Sequence, residues 1–234
     1  VSDDFVDLKT QDKVGIKRFY KKTVSTWDGE ISGNNVVDEF VKMAQRVKIE
    51  KEWVMSFLNS MESDTKVKKY ETYKDLQIYI YGSAQVIGLM MARVLKLDAK
   101  SYKYAKLQGE AFQLLNFIRD IGQDWNDLNR VYIPQEDLRR FGVYSFPIKN
   151  SEKENFCNLI KFEIQRYRNI QKKAEIGYSY IPKKYLLPIK TASDMFMWTA
   201  REIEKNPLIV LEKQIKPSAK RVKSQFLKNM GEFI

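Results

Sequence analysis

The stretch that most constrains this chain runs from Glu110 to Asp127 and reads EAFQLLNFIRDIGQDWND. Gln113, Asn116, Asp120, Asp124 and Asp127 follow one another at intervals of three, four, four and three residues. At ~3.6 residues per turn these side chains form a single stripe on one face of an α-helix. Phe112, Leu114, Leu115, Phe117, Ile118 and Ile121 flank that stripe on both sides. An ordinary surface helix has the reverse arrangement, a narrow apolar stripe on a polar cylinder. Carboxylates embedded among apolar side chains are too costly to keep charged without partners. The stripe therefore has to face a metal ion, a charged ligand or a basic side chain. Asp120 and Asp124 project the same way from successive turns. Carboxylate oxygens suit Mg²⁺, which takes one or two protein carboxylates and completes its shell with water and phosphate oxygens. The plainer alternative is a solvated helix end in which Arg119 and Arg130 pair with the aspartates.

A second acidic cluster opens the chain: Asp3, Asp4 and Asp7 in SDDFVD, with Asp3 and Asp7 again four apart. An acidic terminus by itself is commonly solvated. Two such pairs, each beside apolar residues, point to two faces that meet across a cavity. The segment YIYGSAQVIGLMMARVL at 79–95 is nearly continuous apolar sequence. Within it Ala84, Gly88 and Ala92 are spaced by four and give one smooth face, with Gly82 and Ser83 a turn earlier. Small residues in this pattern either permit close helix–helix packing or set a wall back to leave room for a long, thin apolar ligand. From Ile78 to Leu97 the segment is close to the ~20 residues that cross a bilayer. Gln85 inside it and Arg93 near its end favour a buried bundle helix instead.

Composition removes several chemistries. The chain has no histidine and one cysteine, Cys157, which excludes Ser-His-Asp and Cys-His catalysis and zinc sites built on those side chains. A lone cysteine fits a reducing cytoplasm. An enzyme made from this chain has to work with carboxylates, metals, tyrosines, amides and basic groups. The net charge of +11 suits nucleic acid, an anionic membrane surface or anionic small substrates. No helix-turn-helix, zinc-finger or RNA-recognition signature accompanies it, so no nucleic-acid partner is expected. The lysines crowd at 213–228, where a solvated surface and a peripheral membrane contact are the two readings.

Taken in order, helical periodicity runs over Val14–Trp27, over Val36–Met61, over Tyr70–Leu97 and over Tyr102–Asp124. Gly29, Gly33, Asn34 and Asn35 mark a loop between the first two, and Ser63–Lys69 reads as a charged connector. Trp125–Tyr132 reads as a polar loop, and Pro134 as the start of a short helix. Helices are expected again at Lys153–Ile176, Leu186–Lys205 and Ser218–Met230. No strand pattern of useful length appears. The expectation is an all-α fold, one helical bundle spanning 1–234 around a central cavity.

Three passages resemble the squalene/phytoene synthase family of head-to-head prenyl diphosphate synthases: SDDFVD at 2–7, the 79–95 segment, and FQLLNFIRDIGQDWNDLNRVYIPQEDL at 112–138. The likeness extends through nearly the whole chain and weakens after about residue 140. Family members carry further helical sequence ahead of the first acidic motif, including an arginine three residues before its first aspartate. The sequence given starts at Val1 within that motif and thus reads as lacking the N-terminal helical segment.

The resemblance implies an isoprenoid-synthase bundle around a prenyl-binding cavity. It implies catalytic roles for Asp3, Asp7, Tyr79, Asp120 and Asp124, and Mg²⁺ (with Mn²⁺ as the alternative) held by Asp3, Asp7, Asn116, Asp120 and Asp124. Ala84, Gly88, Gln113, Asn116, Arg119 and Arg130 would bind substrate, the small residues along the prenyl chain and the arginines at diphosphate oxygens. Two prenyl diphosphates would then condense through a cyclopropyl diphosphate, with phytoene from two C20 substrates as the leading product. Squalene or dehydrosqualene from C15 substrates is the alternative, and NADPH enters only for squalene. A non-catalytic lipid-binding or assembly relative is the alternative from another class. Ser83, Gln85, Gln123, Phe196 and Lys213 depart from residues usual in the family, at valine, glycine, acidic, tyrosine and arginine positions respectively. The lone cysteine suits a cytoplasmic location, and the basic region at 213–228 adds membrane association as an option.

Overall fold

The computed structural model describes residues 5, 6 and 11–233. Asp3, Asp4 and Asp7 lie outside the described residues. Those described form an all-α structure. Their one β feature is an isolated parallel bridge between Lys69 and Val131. The helices are α1 (Lys13–Trp27), α2 (Asn35–Arg46), α3 (Lys51–Ser63), α4 (Tyr73–Ile80), α5 (Val86–Val94), α6 (Tyr102–Arg119), α7 (Ile121–Leu128), α8 (Gln135–Arg140), α9 (Lys153–Glu175), α10 (Lys183–Lys205) and α11 (Ala219–Phe233).

Local chemistry explains where they start. The Asn34 side chain accepts from the backbone N–H groups of Val36 and Val37 and opens α2. Thr72 and Asp75 form a reciprocal capping box at the start of α4. Pro134 and Pro182 stand immediately before α8 and α10. The expected helix over 36–61 divides into α2 and α3 because Lys48 turns the chain at φ 59°. The expected helix over 70–97 begins at Tyr73 and contains one π-helical turn, Tyr81–Gln85, between α4 and α5. No helix of the described residues is long and apolar enough to cross a membrane.

The α6 helix is central. It packs against α5 and the π-helical turn on one side and against α9 on the other, with α10 alongside. Its Ala111, Leu115 and Ile118 meet Phe156, Leu159, Ile160, Ile164 and Tyr167 of α9, all of them fully buried. Large apolar side chains of this kind stabilise by ~1.5–3 kcal/mol each on burial, so this seam fixes α6 and everything it carries. The polar stripe thus begins on the most firmly held element of the fold.

Candidate active site

The stripe is not one uninterrupted helix. The α6 helix ends at Arg119 and α7 starts at Ile121, with Asp120 between them at φ −101°, ψ 5°. The hydrogen-bond ladder still passes through the joint. The Asp120 N–H donates to Asn116 O at 2.9 Å, and the Asp124 N–H donates to Asp120 O at 2.8 Å. The expected loop from Trp125 is helical as far as Leu128, and Asn129 closes it in the left-handed region. Asn116, Asp120, Asp124 and Asp127 are all half-buried.

At the joint, Arg119 grips Asp120 side-on: Nε donates to Oδ1 at 2.6 Å and Nη2 to Oδ2 at 2.7 Å. Gln214 Nε2 adds a third bond to Oδ1 at 2.7 Å. Arg119 also lines a pocket of about 280 Å³ with Gln123, Asp127 and Lys213. Two cations from different elements therefore share one concavity beside the stripe. Further up, Asn116 Oδ1 is buried and has no hydrogen-bond partner.

Arg130 and Tyr79 converge elsewhere, on Asp64. Tyr79 donates its hydroxyl to Asp64 Oδ2 at 2.8 Å, and Tyr132 donates to Oδ1 at 3.1 Å. Arg130 Nη2 donates to the backbone carbonyls of Asp64, at 2.7 Å, and of Val6, at 3.0 Å. Nη1 reaches the Tyr132 hydroxyl at 3.1 Å. Asp64 and Arg130 are 2% and 3% exposed, so this is a buried ion pair held by hydrogen bonds. Burial and the neighbouring Asp64 charge push the Tyr79 and Tyr132 hydroxyls well above their ordinary range, and both stay neutral donors. The rings of Tyr70, Tyr79, Phe117 and Tyr132 stack on one another at centroid separations of 4.2–6.1 Å. Asp124 adds to the negative field at Tyr132, which ties this hub to the stripe. Tyr79 is thus packed into the hub and is not among the residues lining the large cavity.

That cavity holds about 500 Å³ and has an overwhelmingly apolar lining. It runs along α6 from Gln113 to Tyr104, about 14 Å at 1.5 Å per residue. The π-helical turn and α5 form one wall, and the end of α9 with the start of α10 forms another. Ala84, Gly88 and Ala92 all line it. The small residues also serve the close packing considered above. A Cβ on Gly88 would lie 2.1 Å from Ala105 O, and one on Gly109 would lie 2.3 Å from Ala84 O. The α5 and α6 backbones touch there, and the cavity opens beside that contact. Phe196 stacks on Phe112 at 4.1 Å, and Phe112 is part of the lining.

Among the described residues no three His, Cys, Asp or Glu side chains converge as a metal site. The donors the stripe does offer are all oxygens. Asn116 Oδ1 lacks a partner, and the Asp120 carboxylate is held by groups that a diphosphate would attract. That set fits a hard divalent cation such as Mg²⁺ or Mn²⁺, which prefers carboxylate, carbonyl and phosphate oxygens.

Several residues that matter here were hidden in the sequence. Asp64 and Thr65 sit in the expected connector yet are 2% and 4% exposed. Glu110, the first residue of the stretch, is 4% exposed and accepts from Gln85 Nε2 at 2.8 Å and from the Tyr73 hydroxyl at 2.9 Å. Gln214 lies outside any expected helix. Only Gln85 carried a signal, as a polar residue inside an apolar run.

The family profile described as Squalene/phytoene synthase matches residues 2–223. A chloroplastic phytoene synthase of an Oncidium hybrid cultivar is 30% identical over 157 residues, covering 64% of this chain and 38% of that protein. The 15-cis-phytoene synthase of Synechocystis sp. is 31% identical over 158 residues, covering 62% of this chain and 44% of that protein. The matched stretch thus spans less than half the length of either relative. Among solved structures, a dehydrosqualene synthase in complex with ligand superposes with a TM-score of 0.81 at 20% identity, covering 95% of this chain and 79% of that one.

Proposed function

Because the chain belongs to the squalene/phytoene synthase family, we propose that it is a Mg²⁺-dependent prenyltransferase that joins two prenyl diphosphates head-to-head through a cyclopropyl diphosphate. The substrates we assign are two geranylgeranyl diphosphates and the product phytoene, the reaction class of carotenoid biosynthesis. One observation carries this reading. Gln113 of α6 belongs both to the polar stripe and to the cavity lining, so the stripe that carries the oxygen ligands meets the apolar channel there. A prenyl diphosphate has the matching shape, an anionic head on a long apolar tail.

In this reading Asn116, Asp120 and Asp124 hold the cation, with Asp3 and Asp7 as the partners proposed from the opposite motif. When bound, the cation neutralises the leaving diphosphate and favours ionisation of the allylic C–O bond. Arg119 does the work that the chain itself can do at the head group. It leaves Asp120 for diphosphate oxygens, for which a guanidinium fork is well matched, and Lys213 stands in the same pocket as a second cation. Arg130 acts from a distance, holding Asp64 and with it Tyr79 and Tyr132. Ala84, Gly88 and Ala92 receive the tail, and the apolar wall keeps water from the carbocation.

The second reading is squalene or dehydrosqualene formation from farnesyl diphosphate, with NADPH required only for squalene. Ser83 lines the cavity with a buried Oγ that lacks a hydrogen-bond partner, a departure that bears on which tail fits without deciding between C15 and C20. Either hydrocarbon needs a lipid surface to receive it, which places a cytoplasmic protein at a membrane.

The test is a product assay. The protein is incubated with Mg²⁺ and C15 or C20 prenyl diphosphate, with and without NADPH, and the extracted lipid is analysed by mass. A C40 hydrocarbon formed without NADPH is the expected result. A C30 product moves the assignment to the second reading. No turnover by folded protein contradicts the enzyme and leaves a non-catalytic lipid-binding relative.

A further inference from the structure

The α11 helix is attached to the bundle in an unusual way. A surface helix ordinarily turns its apolar stripe inward. Among the described side chains of this helix the one fully buried is Asn229. Its Nδ2 donates to Asp194 Oδ2 at 2.7 Å and to Thr191 Oγ1 at 3.1 Å, and its Oδ1 accepts from Lys190 Nζ at 3.0 Å. Gln225 Nε2 donates to Asp194 Oδ2 at 3.0 Å, and Lys190 pairs with Glu232 at 3.2 Å. A polar seam on α10 therefore holds the helix. The apolar residues Val222, Phe226, Leu227 and Met230 remain 36–50% exposed. At 3.6 residues per turn these four fall within an arc of about 140°.

Charge identifies what this face meets. Lys213, Lys216, Lys220, Arg221, Lys223 and Lys228 are the charged residues between 213 and 231, and no acidic residue interrupts them. Lys223 stands within the apolar arc and Lys220 at its edge, and both are exposed. Long lysine stems can lie along apolar surface while their ammonium groups reach anionic head groups. An exposed apolar stripe with basic residues among and beside it is the pattern of a helix lying in a lipid interface. Between α11 and the bundle lies a mostly apolar groove of about 370 Å³, lined by Val222 and Phe226 on one side and by residues of α10 with Leu115 and Arg119 of α6 on the other. Pro188 and Ala192 of α10 border both this groove and the large cavity.

We propose that α11 is a docking helix for an anionic membrane surface, laying its Val222–Phe226–Leu227–Met230 face into the head-group region. This orientation brings the groove against the bilayer and leaves only the Pro188–Ala192 wall between the lipid and the cavity. The proposal supplies the partner surface that a hydrocarbon-forming reaction needs. It rests on α11 itself, so vesicle binding and turnover stand or fall separately.

The experiment is vesicle flotation of the full chain with phosphatidylcholine alone and with one part in three phosphatidylglycerol. Binding to the anionic vesicles, weakened by salt and absent with phosphatidylcholine alone, is expected. Lys220→Gln with Lys223→Gln should weaken it about 25-fold, from the usual contribution of a lysine near an anionic surface. Leu227→Glu with Met230→Glu should weaken it at least as much. All four positions are exposed, so helical circular dichroism should be unchanged, which separates lost docking from lost folding. Failure of the wild-type chain to float overturns the proposal, as does flotation indifferent to the α11 substitutions. A concentration-dependent dimer that Leu227→Glu with Met230→Glu dissociates also overturns it, because the occupant of the face is then a second copy of this chain.

Discussion

At Asp120 a carboxylate, a guanidinium and an amide already satisfy one another, and a diphosphate bound there as proposed would have to displace that arrangement. Asp120→Asn removes the charge that would hold the cation and also loosens Arg119. Asp124→Asn leaves the Arg119–Asp120 pair in place. Both substitutions should lower kcat by about 100-fold or more, the usual scale for losing one charge-stabilising group at a reacting centre. Steady-state turnover of a prenyl diphosphate at saturating Mg²⁺ measures this, and Asp124→Asn with wild-type kcat would remove Asp124 from the site. Tyr79 belongs to a different account. Its hydroxyl satisfies Asp64 in a buried hub, so Tyr79→Phe should destabilise the fold by about 1–3 kcal/mol in denaturant titration. The two acidic spacings of the stripe were readable in the sequence because they are local. Asp64 was not, because Tyr79, Arg130 and Tyr132 reach it across 15, 66 and 68 residues.

Among the elements, the α5–α6 contact limits the width of the cavity in which the proposed tail would lie. Gly88 faces a backbone carbonyl that cannot rotate away. Gly88→Ala should therefore force the helices apart and cost about 1–3 kcal/mol, as over-packing does, and chemical denaturation reports it. Ala92 lines the cavity from the same helix. Ala92→Leu should reduce turnover of a C20 substrate more than that of a C15 substrate, which competition assays with both would show. Equal losses would mean that the cavity does not hold the tail. Helical periodicity covered the long helices, since core-facing residues recur along each, but it ran α2 and α3 together and stopped short of the end of α7. It did not find the break at Asp120, because the side-chain pattern runs straight through while only the backbone bends. It also missed the π-helical turn, whose extra residue leaves no mark on composition but brings Gln85 to Glu110.

On the scale of the whole molecule, the α6–α9 seam carries the site and a buried acid. Glu163 of α9 lies against Arg166 and Asp137. Burial first, and the Asp137 charge after it, push its carboxyl up to about 7 from 4.5, against the pull of Arg166. A pKa raised on folding contributes stability that is fully present below the unfolded value and is lost as pH rises through the folded value. Stability should thus fall between about pH 4.5 and 7, by on the order of 3 kcal/mol. Glu163→Gln should flatten that slope in thermal melts taken from pH 4.5 to 8, and an unchanged slope would assign the loss to other groups. The all-α bundle and its cavity were legible because apolar periodicity and small-residue spacing are written along the chain. The orientation of α11 was not, since its seam depends on Asn229 and Gln225 meeting residues of a different helix.

The central claim is that the oxygens of Asn116, Asp120 and Asp124 hold a cation and a diphosphate at the head of an apolar channel. Calorimetric binding of an unreactive prenyl diphosphate analogue tests it most directly, in Mg²⁺ and in EDTA, with wild type and Asp124→Asn. We predict binding that depends on Mg²⁺, weakens at least tenfold in Asp124→Asn, and weakens as the prenyl tail is shortened. Binding of equal strength in EDTA, or unaffected by Asp124→Asn, would contradict it.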